Sequence, residues 1–251
     1  MGKVLLLCSF FITTYSYAQT SPSDSLILKM IYGKLDSGKN SYSRAFRDGE
    51  ADFSYKDSVT YSIVFKHMID LNNQSVLFVI IEAPNSTQTG HQFGYRNFYF
   101  LDSIDGIFSC IDSIVSDSEI PIGDNSQFEI TDIGTNKKAL VSSFQSTGNN
   151  HFEHTKYFDL IEIGHLSSLF SVDIEYDNST WKIPEKKRDK CAAERYENSY
   201  EIVKGDQEWF DIKVHNVEYT YSRGCLKRYV KSTSDKVFVY LNGEYIERKK
   251  E

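Results

Sequence analysis

The stretch FYFLDSIDGIFSCIDSI, residues 98–114, decides the fold class. Two apolar runs, 98–104 and 107–114, flank Asp105-Gly106. A two-residue loop between antiparallel strands needs positive φ at its central positions, and Asp-Gly tolerates this at little steric cost. The segment therefore reads as a β-hairpin with Ile104 opposite Ile107, Leu101 opposite Cys110 and Phe100 opposite Ile111. That register puts Cys110 on a face with Leu101 and Phe108, so a buried, inert thiol is expected.

The same grammar extends in both directions. Upstream, Val76–Ile81 (VLFVII) is continuously apolar, the mark of a central strand covered on both faces. Before it, Val59, Tyr61, Ile63 and Phe65 alternate with polar residues, and Asp70–Gln74 reads as a turn. Ala83–His91 reads as a polar loop. Downstream, 128–133 and 139–145 flank a Gly134-Thr135-Asn136 turn, and 157–163 and 169–176 flank a turn near Gly164-His165. Ser179–Arg188 leads into a charged loop containing KKRDK (186–190), and Ala192–Glu197 reads as one helical turn. Phe210, Ile212 and Val214 alternate, then Val217, Tyr219 and Tyr221. The apolar phase slips by one at His215-Asn216, which predicts a bulge or tight turn there. Val237–Leu241 and Glu244–Arg248 flank Asn242-Gly243, the strongest short hairpin signal. This last hairpin pairs Tyr240 with Tyr245 and places Val237, Val239, Leu241 and Ile246 on the opposite face.

Strands joined by short turns without intervening helices imply a mainly β protein of antiparallel sheets. A β-sandwich is the first reading. Three strand-rich stretches near 58–115, 128–176 and 198–248 leave an incomplete propeller-like arrangement as the alternative. One N-terminal helix is expected. Pro22-Ser23-Asp24-Ser25 supplies its cap, Leu26, Ile27, Met30, Ile31 and Leu35 follow at helical spacing, and Gly38 closes it.

Residues 1–18 read as a signal peptide. Lys3 precedes the apolar run Val4–Ile12, and Ser16-Tyr17-Ala18 offers a cleavage site after Ala18. The run is far shorter than the roughly 20 apolar residues that span a bilayer, and no later segment predicts a membrane span. The expected organisation is 1–18 signal peptide, 19–56 N-terminal helix and polar segment, and 57–251 antiparallel β domain, in a secreted or periplasmic protein. Cys8 leaves with the signal, so Cys110, Cys191 and Cys225 remain. An odd number leaves one thiol over or pairs it between chains. Cys191–Cys225 is the favoured disulfide, closing a loop of about 35 residues for roughly 4 kcal/mol. Three thiols is the alternative.

Asp and Glu total 35 against 28 Lys and Arg, a net charge of −7. An acidic chain with this charge pattern is a poor nucleic-acid binder. Nucleophile-elbow and calcium-loop motifs are missing, no catalytic residue can be assigned, and no cofactor is expected. His151 and His154 have H-x-x-H spacing, but on a strand i and i+3 point to opposite faces. They are a weak metal candidate and read better as loop histidines. Glu129, Asp132, Asp159, Glu162, Asp173 and Glu175 lie on predicted strands, and a glycosidase needs only two carboxyls about 5–10 Å apart.

The 17 Tyr and 17 Phe are the most unusual feature. Tyrosine offers flat amphipathic contact area, and Tyr95, Tyr99, Tyr219, Tyr221, Tyr240 and Tyr245 are the candidate binding residues. The leading reading is a secreted or periplasmic non-catalytic β-domain that binds a glycan, a surface component or another protein. The alternative is a secreted, glycosidase-like hydrolase with an acidic pair in a cleft.

Overall fold

A computed structural model describes residues 21–32, 61–88, 91–104, 107–116, 120–122, 127–147, 152–177, 195–205, 207–221 and 228–249. Within these lie one helix, α1 (Asp24–Tyr32), and thirteen strands. The first sheet contains β1 (Ser62–Leu71), β2 (Gln74–Gln88), β3 (His91–Ile104) and β4 (Ile107–Ile114) in that order, with β5 (Ile120–Ile122) paired to the start of β3. The second runs β6 (Gln127–Gly134), β7 (Lys137–Thr147), β8 (Phe152–Glu162), β9 (His165–Asp177), β10 (Arg195–Val203), β11 (Asp211–Tyr221), β12 (Arg228–Leu241) and β13 (Glu244–Glu247). Each pairing is antiparallel, so the fold is two meanders joined in a sandwich-like stack.

The VLFVII run explains the layering. Alternate side chains of a strand point to opposite faces. Leu77, Val79 and Ile81 pack with Ile27, Leu28 and Tyr32 of α1, while Val76, Phe78 and Ile80 pack with Leu140 and Ile161 of the second sheet. All six are 0–1% exposed, and burial of side chains of this size stabilises by about 1.5–3 kcal/mol each. The same alternation repeats one layer on. Leu140 faces the first sheet, whereas Ala139, Val141 and Phe158 face Ile212, Val214 and Tyr245. Strands β10–β13 thus form a further layer over β6–β9.

α1 begins where its cap requires. The Ser23 carbonyl accepts from the Leu26 and Ile27 amides at 3.0 and 3.1 Å, and its hydroxyl lies 3.4 Å from the Leu26 amide. Such a cap satisfies amides that have no partner within the helix. Among the described residues β9 meets β10 over Glu175–Asp177, opposite Arg195–Glu197. Just past this point the Asn198 side-chain amide donates to the Asp173 carbonyl at 2.5 Å. At the other end of the layer, Gly134 bridges Trp209. The Thr135 amide donates to the Glu208 carbonyl at 2.8 Å and the Phe210 amide to the Ile133 carbonyl at 2.9 Å.

Several expectations are corrected. The second and third strand-rich stretches merge into one eight-stranded sheet, which removes the propeller-like alternative. Residues 83–88 are not loop, because the β2–β3 ladder continues through Pro84 and Gln88 past a bulge. Arg195–Glu197 is strand, held by ladders on both sides, and not a helical turn. Ile104 opposes Ile107 and Leu101 opposes Cys110, but a bulge at Ile111 sets Phe100 opposite Asp112. Cys110 is exposed rather than buried, because β4 is the last strand of its sheet. β11 runs unbroken through His215-Asn216, and the register shift lies between Glu218 and Tyr219, with Lys231 of β12 as the extra residue. The final hairpin pairs Tyr240 with Tyr245, yet the aromatic face points inward, and Leu241 and Ile246 are exposed. The signal segment, Leu35, Gly38, Val59, the Asp105-Gly106 turn, His151, Cys191 and Cys225 lie outside the described residues.

Candidate functional site

The six candidate tyrosines occupy three places. Tyr99 is 3% exposed, with its hydroxyl 2.8 Å from that of Tyr32 beneath α1. Tyr95 is half-buried on the same strand. Tyr245 is 7% exposed and donates to the Phe210 and Ile133 carbonyls at 2.8 and 3.2 Å, while Tyr240 stacks on Trp209 with ring centroids 3.6 Å apart. Tyr99 and Tyr245 are therefore core residues and not part of an open contact face. Tyr219 and Tyr221 are half-buried near the end of β11.

Tyr219 enters a charge network that the sequence did not reveal. The β9–β10–β11 ladders align Asp177, Arg195 and Tyr219, and next to them Glu175, Glu197 and Val217. Arg195 contacts Glu175 and Asp177 at 2.6 Å and Glu197 at 2.7 Å. Arg228 adds a 2.9 Å contact to Glu197 and lies over the Tyr219 ring, whose hydroxyl donates to Glu197 at 2.8 Å. Burial works against charge on Glu197. The hydrogen bonds from Tyr219 and Arg195 and the two guanidinium charges outweigh it and hold the carboxyl below its ordinary range. Glu175 and Glu197 thus meet on one guanidinium. A hydrolase of the acidic-pair type needs one carboxyl protonated at working pH, the opposite of what this surrounding favours.

The other acids are engaged elsewhere. Asp173 accepts from Thr155 at 2.9 Å and Tyr196 at 3.2 Å. Glu129 accepts from Tyr200 at 3.0 Å and lies 3.6 Å from Lys156. Glu162 sits opposite His165 at the β8–β9 turn. Burial pushes the Asp159 pKa up, and the residue sits between Leu140 and Ser168 in the ladders. His154 Nε2 lies 2.6 Å from Ser143 Oγ. Burial and the Lys156 charge lower the His154 pKa, against the opposing pull of Glu175. That Ser–His contact resembles half of a nucleophilic triad, but Ser143 is 6% exposed and its hydroxyl is closed in. Among the described residues no three His, Cys, Asp or Glu side chains gather as a metal site.

The described residues also form a cleft of about 290 Å³ where β1 and β6 approach each other. His67–Asp70 of β1 and Ile130–Asp132 of β6 form its walls, and Lys138, Ile202 and Lys204 complete it. Lys138 holds Asp132 at 2.5 Å, and Lys204 approaches the same carboxylate at 3.9 Å. The cleft therefore offers aliphatic surface, a matched ion pair and strand backbone. Sequence reasoning missed it because its two walls lie on different sheets and are joined by no motif. Among the described residues no helix is long and apolar enough to cross a membrane. No protein-family model matches the chain, and no curated protein or solved structure is similar to it.

Proposed function

We propose that this chain is an exported, non-catalytic β-domain that acts by binding a protein or glycan. The observation that carries this reading is the Arg195 network. The candidate Glu175 and its neighbour Glu197 share one guanidinium, and the surroundings hold the Glu197 carboxyl in its charged form rather than as a proton donor. Asp159 has a raised pKa but no pairing with a second carboxylate in the ladders around it, so a two-acid hydrolase draws little support from it. The leader-like residues 1–18 support export.

The test is to probe mature protein on glycan and peptide arrays, and in parallel against chromogenic glycosides. Saturable binding without turnover is expected. Glycoside hydrolysis that disappears in Asp159→Asn or Glu175→Gln would overturn the reading.

A further inference from the structure

The geometry points to the cleft between β1 and β6 as a docking slot for a short extended peptide, taken up as an added strand. This rests on the binding reading and names the ligand class.

Among the described residues, β1 and β6 are the terminal strands of their two sheets. A terminal strand presents a row of backbone N–H and C=O groups on its outer side. The two edges run side by side in the same sense. Phe65 meets Phe128 with ring centroids 6.0 Å apart, and further along both strands His67–Asp70 and Ile130–Asp132 wall the cleft. They belong to separate sheets and are not hydrogen-bonded to each other. An extended segment between them meets polar backbone edges, the chemistry of strand addition.

The chain already uses this edge of β6. Just beyond the cleft, the Ile133 carbonyl accepts from the Phe210 amide and the Thr135 amide donates to the Glu208 carbonyl, around the Gly134–Trp209 bridge. A peptide in the cleft continues along the edge that this segment leaves open. Edges not meant for pairing are blunted by lysine, proline or a bulge. Residues Arg228–Lys236 of β12, which β13 does not cover, carry Lys231, Lys236 and a bulge. Of the two cleft edges, β1 carries a bulge at Val64 and Lys66 just before the cleft, whereas Ile130–Asp132 of β6 has none of the three, and the β6 bulge comes only after Asp132, so the β6 edge is the one left for pairing.

The walls fit alternating side chains. Ile130 and Ile202 supply aliphatic surface. Lys204 is 72% exposed at the side chain and only loosely tied to Asp132, which leaves its ammonium for an acidic residue of the peptide. The volume is near the lower bound of about 300 Å³ for small-ligand sites, which suits a few residues of extended chain better than a branched oligosaccharide.

The experiment selects a phage-displayed random dodecapeptide library against the mature protein. Enriched peptides are then synthesised, their affinities measured, and amide exchange followed with and without them. The expected peptides alternate apolar residues and include an acid. Exchange should slow at least tenfold at His67–Asp70 and Ile130–Asp132. Thr131→Trp, which fills the cleft, should weaken binding at least tenfold. If that variant does not fold, Lys204→Glu at the exposed rim serves instead, with the same loss expected for acidic peptides. Protection on other strands, or full affinity in the variant that folds, overturns the slot. Glycan binding with no enriched peptide overturns the slot and leaves the binding reading standing. Turnover of a glycoside overturns both.

Discussion

A methyl group added at Gly134 tests how the outer layer is fastened. The Cβ of an alanine there would lie 2.2 Å from the Glu208 carbonyl oxygen and 3.1 Å from Lys137 Cγ. The first neighbour is backbone and cannot swing aside. The strand end and the 208–210 segment must separate, which sacrifices the Thr135–Glu208 and Phe210–Ile133 hydrogen bonds. Each is worth about 1 kcal/mol net, and overpacking adds about 1–3 kcal/mol. The expected loss for Gly134→Ala is about 3–5 kcal/mol, against about 2–4 °C of melting temperature per kcal/mol for a chain of this size. Thermal and urea unfolding, followed by circular dichroism and tryptophan fluorescence, should show a fall of roughly 6–20 °C with an unchanged m-value. Gly164→Ala is the control. Its φ of +76° imposes strain, but its nearest neighbour is the Asp112 carboxylate, the far end of a side chain that can rotate away. That change should cost about 1–2 kcal/mol. If Gly134→Ala is no more destabilising than Gly164→Ala, the close approach of Gly134 to Glu208 is refuted.

At Gly243, φ is +102° and nothing lies within 4 Å of a built Cβ, so Gly243→Val isolates backbone strain and should cost about 1–2 kcal/mol; an unchanged melting temperature refutes the turn. Thiol titration of denatured, unreduced mature protein should find one thiol, from Cys110, with Cys191 and Cys225 bonded. The ladder that pairs Arg195 with Tyr219 starts both flanking segments from the same end of one strand pair, and a count of three sinks the bond. Glu197 has a depressed folded pKa, so its contribution is present above its unfolded value of about 4.3 and is lost as pH falls through the lower folded value. Glu197→Gln should therefore flatten the acid limb of the stability curve, and superimposable acid limbs would rule the network out as its source.

The turns were legible because each demands a particular backbone. Asn72, Asn73, Asn136, Gly164, Asn242 and Gly243 all adopt positive φ, a conformation that asparagine and glycine tolerate. The central strand was legible because only cover on both faces explains six consecutive apolar residues. Choosing the inner face of the last hairpin was not possible from pattern alone. Val237, Val239 and Leu241 compete with Phe238 and Tyr240, and both sets are apolar. The core took the aromatic set, whose Tyr245 hydroxyl finds the Phe210 and Ile133 carbonyls inside. Cys110 was misplaced for a related reason. Its register partner is right, but exposure depends on whether a strand ends its sheet, and alternation carries no record of that. The Arg195 network was invisible because it assembles from β9, β10, β11 and β12, with no local spacing to announce it.

The cleft follows from the order of the two meanders. Strands β1 to β4 cross the first sheet in the same sense as β6 to β9 cross the layer beneath. Phe65 of β1 meets Phe128 of β6 at one rim, and Asp112 of β4 meets Gly164 in the β8–β9 turn at the other. Both first strands therefore fall on one rim, and among the described residues no strand pairs with the outer side of β1 or of β6 before Ile133. The later strands stack on the far face of β6–β9. They bring Ile202 and Lys204 to that rim and Trp209 to the end of β6, which covers the β6 edge only at its last residues. Two unpaired edges side by side are a standing risk of unwanted strand pairing. A chain that blunts β12 with two lysines and a bulge but leaves Ile130–Asp132 plain treats its edges unequally.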